Sequence, residues 1–205
     1  MDLPWSNMLA HLWDLGKRVM GKLVNPGMYE VLEYESILEL IDEKGKHARF
    51  HKRQKVRYLQ DNIIAYQDQA WGDGEILLDY RCSPGMAVDC YRPGLKTFIL
   101  ISLREVKHEG DIDEFNIEWG IRDGFLRSEE LWETEINHPT NHLEMKLVFP
   151  KTRTPRRVSV LEGNRRRSTL LDSDAQRELP DGRWQVSWEI KRPRLHEHYI
   201  IKWYW

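Results

Sequence analysis

The sequence has no run approaching the ~18 consecutive apolar residues that a membrane-spanning helix needs. Its first residues, MDLPWSNML, have no basic segment leading into an uninterrupted apolar one, so no secretory signal is expected. Two cysteines in 205 residues are too few for a disulfide framework. Cys82 and Cys90 flank a Pro-Gly turn and are expected as free, buried or half-buried thiols in a reducing, cytoplasmic setting. The 31 basic and 33 acidic side chains leave a formal charge of −2, so the overall balance points to neither nucleic acid nor membrane.

Reaction motifs are missing as well. There is no Gly-x-Ser-x-Gly, no P-loop, no dinucleotide-type glycine pattern and no His-Glu-x-x-His. The acidic stretch at 109–114 lacks EF-hand spacing. His196 and His198 would point the same way within a strand, but no third ligand follows by spacing, so no metal is assigned. No catalytic residue and no cofactor are implied, and the non-catalytic reading leads.

What is present is pattern. Residues 5–24 read as an amphipathic helix, with Trp5, Met8, Leu9, Leu12, Trp13, Leu15, Val19, Met20 and Leu23 on one side. His11, Asp14, Lys17, Arg18 and Lys22 occupy the other side, and Asn25-Pro26-Gly27 ends the helix. Such a face must be covered by its own domain, by a partner protein or by a membrane surface. Trp5, Leu9, Leu12, Trp13 and Met20 are the candidate partner-binding residues.

From residue 29 the period becomes two. Residues 30–42 and 46–58 predict a hairpin whose three-residue loop, Glu43-Lys44-Gly45, puts Gly45 in the left-handed region. In that register Leu40 faces Ala48, Leu38 faces Phe50 and Leu32 faces Val56. On the other side Glu39 faces Arg49, Glu35 faces Arg53 and Glu33 faces Lys55. A slip of one residue would spoil both sets. Lys52 opposite Ser36 is the single misfit.

Residues 60–75 read as a short helical turn or an irregular crossing. Further strands are expected at 76–82, 97–106, 114–122, 130–137, 142–149, 156–162, 183–191 and 197–205, with 97–103 central and 163–180 the most loop-like stretch. The last strand is expected in the fold or at an exposed edge. The fold class is mainly β: an antiparallel β-sandwich, immunoglobulin-like or jelly-roll-like, with an N-terminal amphipathic helix and a charged hairpin. The expected division is 1–27 helix, 28–75 hairpin and connector, and 76–205 sandwich.

Two basic tracts stand out. Residues 44–57 hold seven Lys/Arg and no acid, but the hairpin sets glutamates opposite them. His47, His51 and Arg57 are left without partners in that scheme. Residues 151–167 hold Lys151 and six arginines, Arg153, Arg156, Arg157, Arg165, Arg166 and Arg167, with Glu162 the single acid. Arginine's planar fork suits anions, so these six are the candidate anion-binding set. No stacking aromatics accompany them, which makes nucleic acid the lesser partner. The leading expectation is an adaptor that contacts a protein partner through the helix face or this Arg-rich rim. A polyanion binder acting through 151–167 is the alternative. A hydrolase using His196, His198 or Cys82 is the third reading.

Overall fold

The computed structural model describes residues 27–205. The helix expected at 5–24, with its five candidate partner-binding residues, lies outside the described residues.

The Asp42–His47 turn sets the first pairing. Asp42 Oδ1 accepts from the Lys44 N–H at 2.9 Å, and Oδ2 from the His47 N–H at 2.8 Å. Gly45 closes the turn at φ +69°. A Cβ there would sit 1.9 Å from the Phe125 carbonyl oxygen, so glycine is required by both conformation and space. Strands β1 (Tyr29–Leu40) and β2 (His47–Tyr58) follow in the expected register, with Leu40 opposite Ala48, Leu38 opposite Phe50 and Glu35 opposite Arg53. One pair differs. A bulge at Leu32 puts Val31, not Leu32, opposite Val56, which turns Tyr29 and Val31 inward.

The other strands are β3 (Ile63–Ala70), β4 (Glu75–Ser83), β5 (Met86–Tyr91), β6 (Thr97–Lys107), β7 (Ile112–Arg122) and β8 (Glu129–Glu135). After them come β9 (His142–Phe149), β10 (Arg157–Glu162), β11 (Arg167–Leu170), β12 (Gln176–Glu178), β13 (Trp184–Lys191) and β14 (His198–Tyr204). A 3-10 turn spans Ser173–Ala175. The order in the large sheet is β12-β13-β9-β1-β2-β7-β4. Two smaller sheets have the orders β11-β10-β14-β8 and β3-β6-β5. Pairing is antiparallel except between β1 and β9, which run parallel, a departure from the all-antiparallel expectation.

Aromatic contacts join the layers. Tyr66 of β3 stacks on Phe115 of β7 at 4.0 Å, Trp132 of β8 meets Phe50 of β2 edge-on at 5.9 Å, and Trp203 of β14 meets Phe149 of β9 at 6.0 Å. Both small sheets therefore share one core with the large one.

Two expectations change and one open alternative is decided. Residues 60–75 contain β3, whose inward row is Ile63, Tyr66, Asp68 and Ala70. A carboxylate in that row and a bulge near Ile64 hide the alternation. Strand β5 went unread because all six of its residues are exposed, so there is no buried face to set a period. Of the two placements expected for the final strand, the structure has the one within the fold, since β14 pairs with both β10 and β8.

Glu35 ties the three central strands together. It accepts from Arg53 Nε of β2 at 3.1 Å and from Lys146 of β9. Burial pushes its carboxyl up, but the hydrogen bonds from Lys146 and Arg53 outweigh this and hold it below the ordinary carboxylate value. A depressed carboxyl adds stability above its unfolded pKa, and that stability is lost as pH falls through the folded value.

Two outcomes follow for stability in urea. Gly45→Ala is expected to cost about 2 kcal/mol or more, because strain at positive φ adds to the clash with Phe125. Glu35→Gln is expected to flatten the acid limb of the stability–pH curve and leave its neutral-to-alkaline limb parallel to wild type. An unchanged acid limb would show that this carboxylate is not titrating in the transition.

Candidate functional site

The large sheet floors a cleft of about 750 Å3, which falls within the ~300–1,000 Å3 of ligand sites. Its walls are the two small sheets. On the floor every second residue faces in: Phe50, Lys52 and Gln54 from β2, and Trp119 and Ile121 from β7. That is the signature of a sheet face.

The walls behave differently. Residues 66–73 of β3 and its extension line the cleft consecutively, as do residues 130–138 of β8 and beyond. Neighbouring residues on a strand point to opposite faces, so an unbroken row means that the strand's edge borders the cleft. Both β3 and β8 are terminal strands of their sheets. Leu95 and Leu131, both exposed, mark the mouth.

Lys52, the misfit of the hairpin, lies on the floor between Phe50 and Gln54 of β2. It is 5% exposed and donates to Asp68 of β3, which is 1% exposed. Asp68 Oδ1 also accepts from the Gln69 N–H at 2.8 Å, and Oδ2 accepts from Tyr80 Oη at 2.9 Å. Tyr66 donates to Gln54 beside them. Burial, reinforced by the charge of Asp68, holds the Tyr80 phenol well above its ordinary pKa, so it remains a neutral donor. Burial likewise raises Tyr34 and Tyr66. At one end His138 stacks on Tyr29 at 4.1 Å, and desolvation lowers its pKa, which favours the neutral ring. At the mouth Lys96 lies 4.9 Å from the Trp71 ring centre and donates to Glu135 on the opposite wall. Arg127 pairs with Asp73 at 3.1 Å.

The six candidate arginines are divided between the two ends of β10, whose six residues span roughly 17 Å. Arg153 lies 3.7 Å over the Trp205 ring and donates to the Glu43 carbonyl at 2.5 Å. The Arg156 N–H donates to the Tyr204 carbonyl at 2.8 Å, and Arg157 opens the strand. At the far end Arg165 and Arg167 approach Glu162 at 3.3 and 3.9 Å, with Arg166 in the turn at φ +52°. The tract is thus two small groups, and the arginine–carboxylate pairing within them is local.

The other sequence candidates are dispersed too. Arg57 pairs with Glu30 at 3.0 Å and His47 with Asp42 at 3.0 Å, so neither is left over from the hairpin. His198 Nδ1 is 2.5 Å from Glu133, while His196 sits in the preceding turn at φ +62° and not in the strand. Cys82 is half-buried, and Cys90 is exposed where a buried or half-buried thiol was expected. Among the described residues no group of three or more His, Cys, Asp or Glu is placed to hold a metal ion. No helix among them is long and apolar enough to cross a membrane. The cleft itself was not foreseen, and Lys52 opposite Ser36 was the one sequence signal that led to it.

Removing one partner of the buried pair strands the other charge, so Lys52→Met or Asp68→Asn is expected to cost about 3–5 kcal/mol. Lys52→Met with Asp68→Asn should cost less than the sum of the two single changes, since neither charge is then buried alone. Urea midpoints measure all of these.

No family model matches the chain, and no curated protein matches it. Among solved structures it is similar to an M1 zinc metallopeptidase from Deinococcus radiodurans, with 11% identity and a TM-score of 0.44 over 84% of this chain. A mutant of that peptidase bound to a Tyr-Ser-Ala substrate matches at 11% identity and a TM-score of 0.47. A two-domain form bound to L-tryptophan matches at 9% and 0.47. The chain spans 42% of the length of each of these proteins.

Proposed function

We propose that this chain is a β-sandwich that acts as a non-catalytic binding or adaptor module and holds its ligand in the cleft between the sheets. One observation carries this reading: a concavity lined by the largely buried rings of Phe50 and Trp119 on the floor and Trp132 on the β8 wall opens between two strand edges that are unpaired among the described residues. A mostly apolar concavity with a few converging polar groups is the usual form of a ligand site. The charged groups on the floor favour holding over reacting, because Lys52 and Asp68 neutralise each other and Tyr80 caps the pair. The ligand this suits has apolar or aromatic groups to set on the floor.

The adaptor contact is proposed on the cleft, while the helix face of residues 5–24 lies outside the described residues. The arginines at the two ends of β10 are divided and partly paired, whereas the cleft is continuous.

Binding of an anilinonaphthalene sulfonate dye to the full chain tests the reading. Leu131 at the mouth is exposed, so Leu131→Arg should leave the melting temperature unchanged. Partial burial of one leucine is worth about 1 kcal/mol, so dye binding should weaken roughly fivefold. Leu126→Arg, an exposed site outside the cleft, should leave it unchanged. Equal binding by all three proteins, or none by wild type, would rule the cleft out as the site.

A further inference from the structure

We infer that the ligand of the cleft is an extended polypeptide strand with apolar residues on one side and basic residues on the other, and that it pairs through its backbone with the free edge of β8. This rests on the reading of the cleft as the binding site and adds to it the class of partner.

The direction of the β8 backbone supplies the first argument. The Ile136 N–H donates to the Glu197 carbonyl at 3.0 Å, and the Ile136 carbonyl accepts from the His196 N–H at 2.6 Å. Further back, the Ser128 carbonyl accepts from the Trp205 N–H at 3.1 Å. Even-numbered residues thus bond toward β14. In an antiparallel ladder both main-chain groups of a residue point the same way, and the direction alternates along the strand. The N–H and C=O groups of Leu131, Glu133 and Glu135 therefore point into the cleft. Among the described residues no backbone group bonds to them from that side.

The opposite wall is not equivalent. On β3 the Gln69 N–H is already taken by the Asp68 side chain. One donor of the β3 edge is thus engaged, whereas among the described residues no side chain takes the N–H of Leu131, Glu133 or Glu135, so β8 is the receiving strand. Unpaired edges invite strand addition, a recurring mode of peptide recognition.

Side chains set the chemistry of the guest. A strand laid beside β8 turns alternate residues down toward Phe50 and Trp119, beside Trp132 of β8 itself, which calls for apolar groups. Its other residues lie along the outward row of β8, where Leu131 stands among Glu129, Glu133 and Glu135. Opposite charges across neighbouring strands are favourable, so basic residues suit those positions. The partners these glutamates now have, Lys202, His198 and Lys96, are themselves part-exposed and exchangeable.

The test uses the full chain and a fluorescein-labelled, blocked nonapeptide that alternates lysine and valine. Expected are saturable binding by anisotropy, displacement of the naphthalene sulfonate dye, and slowed amide exchange at Leu131, Glu133 and Glu135 but not at Trp132 and Thr134. The same peptide N-methylated at alternate residues loses the edge hydrogen bonds and should bind about thirtyfold more weakly or worse. If the dye binds but the peptide does not, or if N-methylation has no effect, the inference fails while the cleft remains a binding site. If neither dye nor peptide binds, both fail. A synthetic peptide of residues 1–26 is the competing occupant. If it displaces the dye and the strand peptide does not, the cleft takes an amphipathic segment of this chain and β8 pairing is overturned.

Discussion

The register between β1 and β2 is the constraint on which the remaining structure depends. These strands sit near the middle of the seven-stranded sheet, with β9 on one side and β7 on the other. Every inward side chain of that sheet inherits its position from their alignment. A slip of one residue would turn Leu38, Leu40 and Phe50 to the solvent and bring Arg53 and Glu35 into the core. The Asp42–His47 turn fixes the alignment locally, through side-chain bonds to three backbone N–H groups and a glycine that has no room for a Cβ. The Leu32 bulge then adjusts it, bringing Tyr29 and Val31 inward to close one end of the floor.

On that floor the Lys52–Asp68 pair has a structural and an organising role. Both groups are buried, so each requires the other, and their pairing holds β3 against β2 across the layers. Tyr80 from β4 adds a third tether. This polar cluster, with Tyr66 stacked on Phe115, sets where the three-stranded sheet sits. The four-stranded sheet is held by aromatic packing, through Trp132 on Phe50 and Trp203 on Phe149. The cleft lies between these two attachments, bordered by strands that, among the described residues, each lack a neighbour on that side.

How much was legible depended on where polar residues fell. Strands with one clean buried face, such as β7 and β9, declared themselves through Phe115, Ile117 and Trp119, or Leu143, Met145 and Leu147. Strand β3 did not, because Asp68 occupies an inward position that only Lys52, sixteen residues earlier, makes tolerable. Strand β5 was silent because nothing covers either of its faces. The arginine tract was read as one rim because sequence proximity carries no information about which end of a strand a loop occupies. The Lys52–Ser36 mismatch was visible and was the one trace of the site, though its meaning required the carboxylate on another sheet.

By itself the sequence determined the period of most strands, the hairpin register and the turn that sets it, because those rest on contacts between near neighbours and on local backbone conformation. It also determined that the acids of β1 answer the bases of β2. Only the tertiary structure decided which strands became edges, that β1 and β9 run parallel, and that two small sheets share one floor. Those outcomes depend on packing between elements far apart in the chain, where the free energy is a sum over layers that no local pattern encodes. The cleft belongs to this second group. It is bordered by backbone edges, and a backbone edge has no side-chain signature.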